Sequence, residues 1–191
     1  MLSPDYERRS FSDLTADGRK LVGYAVVFNQ PSQDLGGFVE VFEPPAVDRT
    51  LAERLDVRAL VNHDPSQVLG RTTAGTLRLA KDARGLRVEI DPPDTTSGRD
   101  ILASVARGDV TGMSLAFRVV QPRGERFEQR AGGLTRIISD AVILETSVVT
   151  FPAYEATDAQ VAQRSLQAYQ AQHGKRIAWL RLGHNARGVD R

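Results

Sequence analysis

Short apolar segments rich in β-branched residues recur along most of the chain, and turn residues separate them. This pattern is typical of strands rather than of long helices. The predicted strands are 21–28, 38–42, 57–61, 76–79 and 86–90. Within the last of these, apolar and charged side chains alternate, so one strand face is expected to meet a core and the other to meet water.

The same pattern predicts helices at two places between the strands. Thr96 and Ser97 are candidate N-caps for a helix over 98–107, and Gly108 provides a natural C-terminal stop. A shorter helix is predicted over 46–55. The fold class is therefore predicted to be α+β, mainly β with flanking helices.

Two further segments carry most of the candidate chemistry. Residues 110–120 predict a strand whose two faces differ in bulk. One face holds Met113, Leu115, Phe117 and Val119, and the other holds Gly112, Ser114, Ala116 and Arg118. Residues 134–151 predict two strands with a break near 139–140, and the Gly- and Arg-rich stretch 122–133 before them predicts a loop.

The composition of the chain changes beyond residue 158. The last nineteen residues carry five basic side chains and one acidic side chain, a local net charge of +4. We therefore predict one domain over 1–158, with roughly its first twenty residues peripheral, and a basic C-terminal tail over 159–191 that serves docking or processing. The alternative is a final helix packed on the domain, because Ile177, Trp179 and Leu180 are apolar.

Charge balance and the absence of cysteine exclude several classes of protein. The 191 residues include 25 Lys and Arg against 24 Asp and Glu, whereas a protein that binds nucleic acid through its overall field is more basic. Without cysteine there is no disulfide, thiolate zinc site, cysteine-ligated iron–sulfur cluster or cysteine nucleophile. No apolar run is typical of a signal peptide or a transmembrane helix, so we expect an intracellular protein with no membrane partner.

Ser114 is a candidate nucleophile because Gly112 and Ala116, its neighbours on the same strand face, are small. A face with so little bulk lets an extended substrate bring its carbonyl carbon within about 3–3.5 Å of the serine oxygen. The apolar opposite face would anchor the strand. The alternative is a serine with a purely structural role.

His63 is the candidate general base among the three histidines of the chain. It follows an apolar strand and precedes Asp64 and Pro65, a pair that favours a turn. A metal-binding role is disfavoured because no second histidine lies within ligand spacing, although a carboxylate-only site for a hard metal stays open. His173 and His184 fall in the predicted tail, and the alternative for His63 is an ordinary turn residue.

Glu145 is the candidate acid because its surroundings are apolar. Its strand face is predicted to carry Ile143, Ser147, Val149 and Phe151. An ionised carboxylate in such a place is costly unless it is paired, and an imidazole that becomes charged in a transition state is one suitable partner. A solvated strand edge or an ion pair with an arginine is the alternative, and Asp140 in the predicted break is the second candidate acid. Together His63, Ser114 and Glu145 are compatible with an acyl-transfer triad.

Three blocks of the sequence resemble a known family. They are VNHDPSQVLGRTTAGTLRL, GLRVEIDPPDTTSGRDILASVARGDVTGMSLAF and ILETSVVTFPAYEATD. In this order and spacing they are similar to the prohead (capsid maturation) serine proteases of tailed bacteriophages, from about Leu21 to Asp158. That family is similar in fold to the herpesvirus assembly proteases, so the resemblance implies a closed or partly closed β-barrel with helices around it.

The resemblance also implies roles for the candidate residues. Ser114 in GMSLAF matches the nucleophile of the family, and His63 in NHD matches its general base. Glu145 in LETS stands at the position of the third triad member, which is an acid in the phage branch and a second histidine in the herpesvirus enzymes. The oxyanion donors are expected to be backbone amides, with the glycine-rich loops as candidates.

The function implied is cleavage of other proteins inside an assembling procapsid in the bacterial cytoplasm. The substrates would be the scaffolding protein or a scaffold-like segment of the major capsid protein, and the enzyme itself, with a homodimer as the suggested assembly. The chemistry requires no cofactor and no metal ion. The tail is expected to be removed by self-cleavage.

Two functions other than a protease are also compatible with parts of the sequence. A non-catalytic assembly protein would use the same domain as a scaffold or a capsid-binding module. An unrelated esterase or amidase of the α/β type would need a G-x-S-x-G turn between a strand and a helix, whereas Ser114 lies in T-G-M-S-L within a predicted strand.

Overall fold

The computed structural model describes residues 6–151 and 161–171. Within them, twelve strands form three sheets, and three α-helices accompany the sheets. The strands are β1 (Glu7–Ser12), β2 (Leu14–Asp17), β3 (Lys20–Val27), β4 (Val39–Phe42), β5 (Arg58–Val61), β6 (Asp64–Arg71), β7 (Leu77–Lys81), β8 (Gly85–Ile90), β9 (Gly112–Val119), β10 (Glu125–Arg130), β11 (Gly133–Ile138) and β12 (Ala141–Val149). The α-helices are α1 (Asp48–Ala52), α2 (Thr96–Arg107) and α3 (161–171).

The largest sheet has five strands in the order β1-β9-β12-β5-β6. Strand β12 runs antiparallel to β9 and parallel to β5, and β9 pairs on its other side with β1. Residues 112–117 of β9 are all buried, as are residues 145–149 of β12. Both strands are covered on both faces, which explains their nearly continuous runs of apolar and small residues.

The main core lies between this sheet and a four-stranded sheet in the order β2-β3-β8-β7. Leu21, Leu86 and Ile90 of the smaller sheet belong to the same buried cluster as Leu115 and Phe117 of β9. These residues lie at alternate positions of their strands, which places each set on one face. The alternation in the sequence therefore predicts this core correctly.

The predicted barrel does not close. In residues 6–151 and 161–171 the strands form three separate sheets, and each sheet has two free edges. A barrel requires a continuous hydrogen-bonded ladder between its first and last strands, and no ladder joins β1 or β6 to the four-stranded sheet. The prediction of a mainly β fold with flanking helices is confirmed. Of the closed or partly closed barrel that the resemblance implied, the closed form is not found.

Residues 7–17 form strands of two sheets, so this part of the N-terminal segment is not peripheral as the sequence suggested. Strand β1 pairs with β9 in the five-stranded sheet, and β2 pairs with β3 in the four-stranded sheet. Asp13 alone separates β1 from β2, and its carbonyl accepts a hydrogen bond from Tyr24 N at 3.1 Å. The segment thus passes directly from the five-stranded sheet to the four-stranded sheet.

Several local predictions are confirmed, and one helix differs. The break at 139–140 separates β11 from β12, and the helix predicted over 98–107 is α2. Its N-cap is Thr95, whose side chain accepts a hydrogen bond from Gly98 N. Thr95 lies one residue before Thr96, the first of the two N-caps predicted from the sequence. The helix predicted over 46–55 is a 3₁₀ turn, Pro44–Val47, followed by the short α1.

The predicted loop over 122–133 contains a strand instead. Strand β10 forms an antiparallel hairpin with β11, which also pairs in parallel with β4 to complete the third sheet. Phe127 of β10 packs edge-on against Phe38, with ring centroids 5.7 Å apart, and against Tyr169 of α3 at 4.9 Å. These partners lie far away in the chain, so the polar local sequence did not reveal the strand.

Helix α3 packs on this third sheet. Ala162 and Leu166 form a small buried cluster with Phe38, and Tyr169 lies partly buried against it. The helix lies at the start of the segment predicted as a basic tail, while residues 172–191, with His173 and His184, lie outside the described residues. The separate character of the tail and its removal by self-cleavage stay predictions. No helix of residues 6–151 and 161–171 is long and apolar enough to cross a membrane.

A buried network of charged side chains joins β1 to the third sheet. Arg136 of β11 is 1% exposed and donates hydrogen bonds to Glu7 at 2.6 Å, Glu40 at 2.7 Å and Glu125 at 2.5 Å. Arg9 of β1 also donates to Glu7 and Glu40. Burial acts to lower the pKa of the Arg136 guanidinium, but its hydrogen bond to Glu7 and the nearby carboxylates outweigh burial and raise that pKa.

Replacing Arg136 by Met should therefore lower the free energy of unfolding by about 3–5 kcal/mol, because buried carboxylates lose their counter-charge. The matched control is Arg126→Met in the same hairpin, whose ion pair with Glu43 is partly exposed and should contribute no more than about 1 kcal/mol. Urea denaturation of both variants measures the difference. Equal losses would contradict a special role for the buried network.

Candidate active site

His63 lies in a two-residue turn between β5 and β6. Val61 pairs with Asp64 across the hairpin, and the two residues between them, Asn62 and His63, have positive φ angles of 47° and 61°. Consecutive left-handed residues are the signature of a type I′ turn, whose twist suits a tight hairpin. The sequence placed the turn after His63, at Asp64 and Pro65. Those residues instead begin β6, an edge strand, where a proline does not interrupt a ladder on the outer side.

Asn62 fastens this turn to the end of β12. Its backbone N–H donates to the carbonyl of Val148 at 2.8 Å. Its side-chain Oδ1 accepts from Thr150 N at 2.9 Å, and its Nδ2 donates to Thr150 Oγ1 at 3.3 Å. The neighbouring His63 is thereby held beside the strand that carries Glu145.

Glu145 is buried on β12, with 4% of the residue exposed. The His63 Nδ1 and the Glu145 Oε1 are within hydrogen-bonding distance. The same carboxylate oxygen accepts a hydrogen bond from the hydroxyl of Ser147 at 2.8 Å. The inference from sequence that a carboxylate at this position requires a partner is confirmed, and the partner is an imidazole.

A β-bulge decides which face of the sheet Glu145 occupies. Ile143 lies opposite Phe117, whereas Glu145 lies opposite Ala116, so one extra residue is inserted between them on β12. Directly opposed residues of antiparallel strands share a face, and Phe117 and Ala116 point to opposite faces of β9. Ile143 therefore joins the core, and Glu145 faces the other way. The predicted sharing of one face by Ile143 and Glu145 is wrong because the bulge reverses the alternation.

Ser114 lies in the middle of β9 on the same face as Glu145. It is directly opposite Ser147 of β12 on one side and Ser10 of β1 on the other. Directly opposed residues have Cβ atoms about 4.5–5.5 Å apart. Three serines thus form a row across adjacent strands, next to the contact between Glu145 and His63.

Ser114 is more enclosed than the sequence suggested. Only 1% of the residue is exposed, so the small neighbours Gly112 and Ala116 do not create an open face. In the part of the chain that the structure describes, the Ser114 hydroxyl has no hydrogen-bond partner, and so none joins it to His63. Strand β9 is an inner strand of its sheet, and its residues 112–117 are buried on both faces.

Asp140, the second candidate acid, is engaged elsewhere. Its two carboxylate oxygens accept hydrogen bonds from Arg49 of α1, from Nη2 at 2.7 Å and from Nε at 3.0 Å. This pairing raises the pKa of the Arg49 guanidinium above its ordinary value. Of the two acids considered from sequence, the structure brings Glu145 to His63 and keeps Asp140 in the turn between β11 and β12.

Two residues at the site were missed from sequence. Ser147 bonds to Glu145, and Asn62 fixes the turn that carries His63. A signal for Asn62 was present, because asparagine tolerates the left-handed conformation and is frequent in tight hairpin turns. Among residues 6–151 and 161–171, no three His, Asp or Glu side chains gather where they could hold a metal ion.

Comparison with known proteins places the chain in a family. The family model described as "Caudovirus prohead serine protease" matches residues 5–172, which is most of the chain. The chain therefore belongs to the family of prohead serine proteases of tailed bacteriophages.

The fold resembles the solved structure of the bacteriophage T4 capsid assembly protease, gp21. The TM-score is 0.54 at 8% sequence identity, and the similarity covers 78% of this chain and 98% of that chain. At so low an identity the resemblance concerns the fold alone. No curated protein sequence matches the chain.

The role of Asn62 can be tested by two substitutions. Asn62→Gly keeps the left-handed turn and removes only the side-chain hydrogen bonds, so it should lower the free energy of unfolding by about 0.5–1.5 kcal/mol. Asn62→Ala should cost roughly 1–2 kcal/mol more, because alanine is strained at positive φ. Urea denaturation measures both effects.

Asn29 offers a matched control, since it also has a positive φ, 58°, and no side-chain hydrogen bond is seen for it within the described residues. Asn29→Gly should therefore leave stability nearly unchanged. If Asn62→Gly were equally neutral, the two hydrogen bonds to Thr150 would contribute nothing to the turn.

Proposed function

We propose that this protein is a serine endopeptidase in which Ser114 is the nucleophile, His63 the general base and Glu145 the acid that orients His63. The observation that carries the proposal is the partly buried contact between His63 Nδ1 and Glu145 Oε1, on the sheet face that also holds Ser114. Membership in the prohead serine protease family supports the reaction class.

The contact between His63 Nδ1 and Glu145 Oε1 is compatible with His63 acting as the general base of such a triad. An ionised carboxylate only accepts hydrogen bonds, so the His63 Nδ1 carries the proton that faces Glu145. The other ring nitrogen, Nε2, is then left with a lone pair that can accept the Ser114 proton. As the serine oxygen attacks a peptide carbonyl, His63 becomes an imidazolium, and the nearby carboxylate stabilises its charge. The histidine then protonates the leaving amine, and water releases the acyl group from Ser114.

In the free protein the Ser114 hydroxyl has no hydrogen-bond partner among the described residues. Catalytic hydrogen bonds are often absent or long before the substrate binds and form in the complex with substrate. The reaction accordingly requires an opening of the face around Ser114 that admits an extended peptide. Backbone amides would then stabilise the oxyanion.

The substrates we propose are the scaffolding protein, or a scaffold-like segment of the major capsid protein, and the protease itself. Membership in a family of prohead proteases supports this choice, as does the similarity in fold to the T4 capsid assembly protease. The site of action would be the assembling procapsid in the bacterial cytoplasm. A homodimer is the assembly we expect.

A non-catalytic assembly role is the second candidate function. The observation that favours it is the nearly complete burial of Ser114, because the hydroxyl cannot attack a peptide unless the face around it opens. An esterase of the α/β type is disfavoured, since Ser114 lies within β9 and not in a turn between a strand and a helix.

The nucleophile can be tested by co-expressing the chain with the neighbouring capsid and scaffold genes and recording intact masses. Wild-type protein should shorten at least one of these partners, and Ser114→Ala should abolish the shortening because the attacking oxygen is lost. Ser10→Ala, which removes a hydroxyl directly across the strand pair, is the control and should leave cleavage intact. Cleavage by Ser114→Ala would eliminate Ser114 as the nucleophile, and unshortened partners with wild-type protein would favour the non-catalytic role.

The identity of the acid can be tested by one matched pair of amide substitutions. Glu145→Gln should lower kcat by about three to four orders of magnitude, because an amide can favour the wrong histidine tautomer and does not stabilise the imidazolium. Asp140→Asn should leave kcat near the wild-type value, because Asp140 pairs with Arg49. The measurement is the rate of cleavage of the partner identified by intact mass. The reverse pattern would make Asp140 the acid.

A further inference from the structure

Ser147 is a buried hydroxyl whose hydrogen bond goes to the proposed acid. The residue is 0% exposed, and its Oγ donates to Glu145 Oε1 at 2.8 Å. That oxygen is also the one that contacts His63 Nδ1. A single carboxylate oxygen therefore lies between a serine donor on its own strand and a histidine on the neighbouring hairpin.

This arrangement restricts a side chain that is otherwise free to rotate. A glutamate has three rotatable bonds, and a carboxylate held at one end by a single contact can swing away from its partner. Ser147 stands two residues after Glu145 on the same strand face, with no bulge between them. Its hydroxyl therefore reaches the carboxylate directly, and two donors converging on Oε1 define where that oxygen lies.

The hydroxyl of the neighbouring threonine has a different kind of hydrogen-bond acceptor. Thr146, also 0% exposed, points to the opposite face, and its hydroxyl donates to the backbone carbonyl of Ser114 at 3.3 Å. A hydroxyl bonded to backbone supports the strand pair. The hydroxyl of Ser147 instead supports a functional side chain.

We propose that Ser147 is a positioning residue that holds the Glu145 carboxylate against His63, and through it sets the orientation of the imidazole toward Ser114. The proposal rests on the proposed triad. It extends the triad by one hydrogen bond to a serine that lies directly opposite the nucleophile on the adjacent strand. Removal of the hydroxyl should therefore slow the attack by Ser114 while leaving ligand binding unchanged.

The test uses a fluorophosphonate, so it does not depend on knowing the protein substrate. Attack by the Ser114 oxygen on phosphorus forms a P–O bond and expels fluoride, and the serine proton goes to His63. Mass spectrometry of the full-length chain gives the maximal rate of labelling and the probe concentration at half-maximal rate. Ser147→Ala should lower the maximal rate by about 10-fold to 100-fold, as expected for a slightly misplaced catalytic group, with the half-maximal concentration unchanged.

Two further variants separate positioning from a structural role. Ser147→Thr keeps the hydroxyl and should retain a labelling rate much closer to the wild type than Ser147→Ala. In a Glu145→Ala background, Ser147→Ala should have no further effect, because the hydroxyl acts through the carboxylate. A merely structural hydroxyl would lower the rate by the same factor in both backgrounds.

Thr135→Val is the matched control, since it removes a buried strand hydroxyl from the third sheet and should not change labelling. Urea denaturation shows whether each variant is folded. If Ser147→Ala does not fold, Ser147→Cys, which keeps the size of the side chain and weakens the donor, takes its place in the same measurements.

The outcomes distinguish this inference from the proposed function. Labelling of Ser114→Ala at the wild-type rate, or no labelling of the wild type, would overturn the triad and with it the inference. If Ser114→Ala and Glu145→Gln are inactive while Ser147→Ala reacts at the wild-type rate, the triad stands and the positioning role is wrong. A loss in Ser147→Ala that disappears in the Glu145→Ala background supports both.

Discussion

The arrangement of the candidate site depends on the burial of one carboxylate, that of Glu145. Glu145 lies inside the five-stranded sheet, where an ionised group without partners would cost several kcal/mol. The surrounding structure meets that requirement with His63 and Ser147, which both contact a single oxygen of the carboxylate. The hairpin that carries His63 must therefore close against the end of β12, and Asn62 makes the hydrogen bonds that keep it there.

The register between β9 and β12 places Glu145 on the same sheet face as Ser114 and Ser147. The bulge before Glu145 sends Ile143 into the core and Glu145 to the opposite face, where Ser114 and Ser147 lie directly opposite each other. A shift by one residue would exchange the two faces and bury the serines in the core. The apolar packing of Ile143 and Phe117 thus helps to fix the face on which the polar residues meet.

A second set of buried charges has a different role. The network around Arg136 joins β1 to the third sheet and contains three carboxylates against two guanidinium groups. Such a network constrains geometry more than it stabilises, because desolvation offsets most of the attraction between buried charges. Its effect here is to hold β1 in place, and β1 forms the flank of β9, the strand of Ser114. The N-terminal segment is in this way coupled to the candidate site.

The sequence by itself determined the alternating strands, α2, the break before β12 and the need of Glu145 for a partner, because these depend on nearest neighbours and on the cost of burying a charge. Resemblance of short blocks also indicated the family and the residues His63, Ser114 and Glu145. Only the tertiary structure decided that the sheets stay open, that β10 is a strand and that Glu145 turns away from Ile143. It also decided that His63 is the partner of Glu145 and that Asp140 pairs with Arg49. The burial of Ser114 likewise follows from the tertiary structure. Each of these depends on contacts between residues far apart in the chain, and local patterns carry no information about such contacts.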